Sequence, residues 1–137
     1  MIRSSIRILA VLLLVVCGWG IVMPHFGGHG QARRAAALED ISRLTTAIRI
    51  FGVDCGRYPT TAEGLISLMK RPATLAEGVQ WRGPYWDRDV LPKNHWGKPY
   101  VYQYPGKHNL DAFDIFTTVR NAEGGKEVIG NWPPPSR

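Results

Sequence analysis

The sequence predicts an α+β fold, in which a long N-terminal helical region, first apolar and then amphipathic, packs on a small antiparallel sheet. Three observations carry this. Apolar residues run without a charge from Ile8 to Met23; they then recur three or four apart at Leu38, Ile41, Leu44, Ile48 and Phe51; and aromatic and β-branched residues gather after Pro99. At 137 residues the chain has room for one domain, from which the N-terminal run is withdrawn. The expected organisation is an anchor with a kinked exit over 1–30, a globular domain over 31–132 and a Pro-rich tail over 133–137.

As a helix, Ile8–Met23 spans roughly 24 Å, against a hydrocarbon core of about 30 Å. Ile6 and Phe26 extend it, with Arg7 snorkelling to the interface. Leu9, Leu12 and Leu13 are the candidates for burial in lipid or against neighbouring helices, and Pro24 marks the exit. A cleaved secretory signal is the rival, since Arg3 and Arg7 form a basic n-region. Retention is preferred because the run leads into another helical pattern and no Ala-x-Ala-like site follows. A lipoprotein signal ending at Cys17 would place bulky Val16 where a small residue is required.

Pro24 and Gly27-Gly28-His29-Gly30 predict a kink or break. Beyond it, the stripe from Leu38 to Phe51 predicts an amphipathic helix of about fifteen residues ending near Gly52–Gly56. Thr60 to Glu63 reads as a capping box opening a short helix that buries Leu65, Leu68 and Met69 and stops before Pro72. From Pro72 to Pro99 the density of Pro, Gly and Trp predicts ordered loop. Tyr100–Tyr104 and Ala112–Val119, separated by Pro105-Gly106, predict two antiparallel strands, and Glu127–Ile129 a third.

Catalytic signatures are weak. Cys55 is the one thiol beyond the apolar run, and it stands at a helix C-terminus, where the dipole disfavours a thiolate. His25 and His29 have i, i+4 spacing but lack a nearby third ligand. The formal charge of +6 is dispersed, with Arg33-Arg34 and Lys70-Arg71 as adjacent basic pairs, which reads as a solvated surface and not as a nucleic-acid footprint. The tryptophans and tyrosines interleaved with Pro and Gly between Trp81 and Trp132 read as core packing in preference to a base-stacking platform.

Arg57-Tyr-Pro-Thr-Thr-Ala-Glu-Gly-Leu65, Gly83-Pro84-Tyr85, Trp96-Gly-Lys-Pro-Tyr-Val-Tyr102, Pro105-Gly106, Asp114-Ile115 and Ile129-Gly-Asn-Trp132 occur in that order. Together they resemble the major pseudopilin of bacterial type II secretion systems. The resemblance implies a non-enzymatic subunit held in the inner membrane by a single span, with its C-terminal domain in the periplasm. Such subunits stack by their apolar helices into a short filament, so the implied partners are other pseudopilins, further copies of the chain and the inner-membrane secretion platform, with no nucleic acid. The alternatives are a non-polymerising accessory pseudopilin and a DNA-uptake pilin-like protein.

The resemblance also implies calcium in the loop between the last strands, for which Thr117, Asn121, Glu123 and Glu127 are the candidate oxygen ligands. Asn121 and Val128 stand where the family pattern has Asp, so loss or weakening of that site is expected. At the N-terminus, Ile2 replaces the Gly that precedes prepilin cleavage and Arg7 replaces the Glu that neutralises a neighbour's amine. The chain is therefore expected to escape prepilin processing and to be impaired in ordinary filament incorporation.

Overall fold

The computed structural model describes residues 28–121 and 123–134. The first element, α1, spans Gly28–Cys55 and is 28 residues long, well beyond the expected fifteen. The break anticipated at Gly27–Gly30 does not extend over Gly28, His29 and Gly30, which are helical. Ala32, Ala35, Ala36 and Ala37 follow directly, and the highest helix propensity of any residue offsets the roughly 1 kcal/mol disfavour of each glycine. The helix ends where Gly56, at φ 72°, takes the left-handed C′ conformation and donates its N–H to the Gly52 carbonyl at 2.9 Å.

One stripe of α1 is buried: Ala37, Ile41, Leu44, Ile48, Phe51 and Cys55, stepping alternately by four and three, with Ala47 beside it. Leu38, expected in this stripe, is instead 43% exposed. It lies 100° round the helix from Ala37, and the small methyl of Ala37 holds that face, with no exposed surface of its own. Leu44, Ile48 and Phe51 are completely enclosed, and each such side chain contributes on the order of 1.5–3 kcal/mol.

The capping box forms in both directions. Glu63 N–H donates to Thr60 Oγ1 at 3.2 Å, and Thr60 N–H donates to Glu63 Oε2 at 2.6 Å. The helix it opens is a tight 3-10 turn, Leu65–Leu68, burying Leu65 and Leu68 with Met69 packed at its edge. Residues 72–99 then cross the domain in irregular but well-bonded conformation. Trp81 Nε1 donates to the Ser67 carbonyl and Trp86 Nε1 to the Val90 carbonyl.

Three strands close the fold: β1 (Val101–Gln103), β2 (Asp114–Arg120) and β3 (Lys126–Gly130), antiparallel and in that spatial order. Tyr102 pairs with Ile115, and Thr117 with Ile129. These four are buried on the face that carries α1, whereas Val101 and Val128 are about half exposed on the opposite face. Two hydroxyls tie sheet to helix side: Tyr100 donates to Asp40 Oδ2 at 2.9 Å and Tyr102 to the Pro59 carbonyl at 2.7 Å.

Candidate functional site

The β2–β3 hairpin holds all four candidate calcium ligands, and their surroundings decide what they can do. Thr117 points into the core, where its Oγ1 accepts a hydrogen bond from Asn94 Nδ2 at 2.7 Å. Asn121 turns its Oδ1 back onto its own loop to accept the Gly125 N–H at 2.6 Å. Glu127, on β3, forms an ion pair with Arg34 of α1. Glu123 stands exposed in the turn. Calcium requires six to eight oxygens with anionic ones among them. Here the hydroxyl and the amide oxygen are engaged, and a guanidinium occupies the neighbourhood of the sheet carboxylate. This donor set does not fit calcium. Among the described residues, no three His, Cys, Asp or Glu side chains converge.

Arg34 and Asn94 were not foreseen in this region. Arg34 reads from sequence as one of a basic pair, and only the packing of α1 over β3 brings it to Glu127. Asn94 lies 23 positions from Thr117, buried in a loop, where it also accepts the N–H groups of Trp96 and Lys98 on its Oδ1.

A second polar centre was also missed. The carboxylate of Asp114, 1% exposed, accepts N–H groups from Lys107, His108 and Asn109 at 2.7, 2.9 and 3.1 Å, and the Asn109 amide at 2.9 Å. Burial opposes its charge, but the backbone donors of His108, Asn109 and Lys107 and the His108 ring outweigh it and leave the carboxyl below its ordinary range. Gly106 makes room: a Cβ there would lie 2.7 Å from Asp114 Oδ1. Asn131 completes the centre by accepting the Ile115 N–H and donating to the Phe113 carbonyl. His108 stacks on Trp132 with ring centroids 3.8 Å apart. The hydrogen bonds of the Asp114 carboxylate and the Asn131 amide are spent within this cluster, which makes it a structural lock for the loop before β2.

At the far end of α1, an open groove is lined by Arg49, Gly52, Val53, Arg57, Tyr58 and Tyr104. Its walls hold no serine, cysteine, histidine or carboxylate, and Arg57 is committed to Glu63. Cys55 is buried, and burial pushes its thiol up, away from the reactive thiolate. His95 is exposed in its loop. Arg7, Leu9, Leu12, Leu13, Pro24 and His25 lie outside the described residues.

A long N-terminal helix laid on one face of an antiparallel three-stranded meander, with polar residues spent on internal locks, defines a structural subunit of the pilin-like class. The chain belongs to the type II secretion system protein G family, whose model matches residues 25–132. It is 32% identical over 132 residues to the type II secretion system core protein G of Aeromonas hydrophila, covering 94% of this chain and 90% of that protein. It is 33% identical over 133 residues to the core protein G of Escherichia coli K12, covering 94% and 88%. The crystal structure of the major pseudopilin from the type 2 secretion system of enterohaemorrhagic Escherichia coli superposes with a TM-score of 0.62 at 32% identity, over 82% of this chain and 93% of that one. The family is a structural one, and the resemblance read from the ordered motifs holds over the whole globular part.

Proposed function

We propose that the chain is a pseudopilus subunit that rests in the inner membrane through Ile8–Met23, presents its C-terminal domain to the periplasm and works with other pseudopilins on the secretion platform, without enzymatic activity of its own. The observation that supports this best is the form of α1. The domain covers one stripe of the helix and leaves Leu38, Ile50 and Val53 exposed on the others, with Val53 at 84%. A helix clothed on one side, continuing the chain from an apolar run, has the surface a helix-stacked subunit needs. No helix among the described residues is itself long and apolar enough to cross a membrane, so anchoring rests on the run upstream of them.

In this reading residues 1–30 are anchor and exit, 31–132 the periplasmic domain and 133–137 a tail. Arg7 favours a second form of the reading, an accessory subunit that does not polymerise alone, because an unpaired cation among apolar helices is strongly unfavourable. The test is complementation in a secretion-competent bacterium lacking its own protein G. Restored secretion together with shearable filaments supports the polymerising subunit. Secretion restored only when another pseudopilin is co-expressed supports the accessory form, and a chain recovered in the aqueous fraction after carbonate washing defeats both.

A further inference from the structure

The tip of the β2–β3 hairpin lies beside the first turns of α1. Arg120 and Asn121 share a groove with Gly30, Gln31 and Arg34. The hairpin therefore points toward the end of the domain from which residues 1–27 depart. At this tip Arg120 and Lys126 are direct cross-strand partners, both exposed. Like charges opposed on a ladder destabilise it. Their neighbours along the same face of the sheet, Thr118 and Val128, carry no charge to relieve them. Exposed Arg33 adds a third cation on α1. Four cations, Arg34 with its chain neighbour Arg33, and Arg120 with Lys126, thus stand at this end of the domain against two carboxylates of the hairpin, Glu123 in the turn and Glu127 paired with Arg34, a positive excess. Half-buried Trp96 lines the same groove, a side chain suited to the membrane–water boundary.

We propose that this tip, Arg120 and Lys126 with Arg33, is a contact for the phosphates of anionic phospholipid headgroups while the subunit rests in the membrane. The inference depends on the anchoring read above. Five peptide steps join Met23 to Gly28, a tether of at most about 18 Å, and Gly30 and Gln31 of the groove lie within about 5 Å of helical rise from Gly28. The headgroup layer extends roughly 5–8 Å beyond the hydrocarbon, and charges act over a further 8 Å or so. A tether this short lets the tip come within electrostatic reach of the phosphates, where each basic side chain strengthens association by about fivefold. Headgroup phosphates would relieve the Arg120–Lys126 repulsion, and that relief is lost when the subunit leaves the bilayer.

The experiment is amide hydrogen exchange on the full-length chain in nanodiscs of phosphatidylcholine alone and of phosphatidylcholine with phosphatidylglycerol. Exchange over residues 119–128 is expected to be several-fold slower in the anionic discs, with the difference abolished by high salt and in Arg120→Glu/Lys126→Glu. The neutral pair Arg120→Gln/Lys126→Gln should lose most of it, and unchanged protection of Leu44–Phe51 reports that each variant is folded. Equal exchange of the tip in both discs at low salt overturns the proposal while leaving the anchor intact, as expected of a site for an acidic protein instead. A chain that enters neither disc overturns the anchor and this inference with it.

Discussion

Arg57 grips Glu63 with both arms of its guanidinium, Nη1 on Oε2 at 2.7 Å and Nη2 on Oε1 at 2.6 Å, while its Nη1 also reaches the Tyr58 carbonyl at 3.0 Å. The same carboxylate accepts the Thr60 N–H and the Thr74 hydroxyl. One buried anion thus joins the exit of α1, the capping box and the loop that follows.

The Arg57 contact, with the Thr74 and Thr60 donors, holds the Glu63 carboxyl at about 2, below its ordinary 4.5, against the opposing effect of burial. A depressed carboxylate contributes stability that is complete above about 4.5 and is lost as pH falls toward 2. Glu63→Gln is expected to lower stability at neutral pH by on the order of 2–3 kcal/mol and to flatten the fall between pH 4.5 and 2. Denaturant titrations of the full-length protein in mild detergent across that range test it; parallel pH curves for variant and parent would refute the assignment.

The helix stripe gives a paired prediction. Ile48→Ala, at a site with no exposed surface, should cost roughly 2–5 kcal/mol. Leu38→Ala, at a position 43% exposed, should cost well under about 1 kcal/mol. Comparable losses at the two positions in thermal melts would mean that the buried face is wrongly placed.

Because its candidate oxygens are engaged by Asn94, Gly125 and Arg34, the hairpin should respond little to calcium. Millimolar calcium or a chelator is expected to move the melting temperature by less than about a degree, since a ligand stabilises only by binding the native state. A rise of several degrees would show that Glu123, Glu127 and carbonyls assemble a cage after all.

Asp114→Asn should be costly for its size. The amide would turn a donor toward backbone N–H groups that now share an anionic acceptor, at roughly 2–4 kcal/mol. The carboxyl is held low, so the Asp114 contribution too is present at neutral pH and is lost on acidification. Faster exchange of the 107–109 amides in the variant would locate the damage; unchanged exchange there would exclude the lock.

Ile2 and Arg7 lead to the last prediction, that a co-expressed prepilin peptidase leaves the chain at full length. Intact-mass measurement on membranes decides it: a shortened, methylated product starting near Arg3, or filaments of this protein alone, would overturn the expectation.

The elements were legible where a local pattern and the tertiary environment agree. The Thr60–Glu63 box, the strand pair around Pro105-Gly106 and the four-three spacing of Ile41, Leu44, Ile48 and Phe51 all survive because each carries its reason within a few residues. The glycines at the start of α1 understate its length, because the alanines that follow them restore the helix propensity. Leu38 was misplaced because periodicity alone permits either position 37 or 38, and the closeness of the helix to its support decides for the smaller side chain. The locks around Asp114 and Thr117 are illegible for different causes: Asn94 stands 23 positions from Thr117, whereas the donors to Asp114 are mainly backbone N–H groups five to seven positions back, which leave no side-chain signature.

Polar ties leave α1 at Arg34 to Glu127, at Asp40 to Tyr100 and at Asp54 to Tyr85, so they are distributed along most of its 28 residues, about 42 Å at helical rise. A thrust along the axis of such a helix does not bear on one joint. It is shared in shear among ties at three heights and a continuous apolar seam, so that no single contact carries the whole load. Among the described residues, the shaft is therefore braced to its head along its length and not at a single hinge.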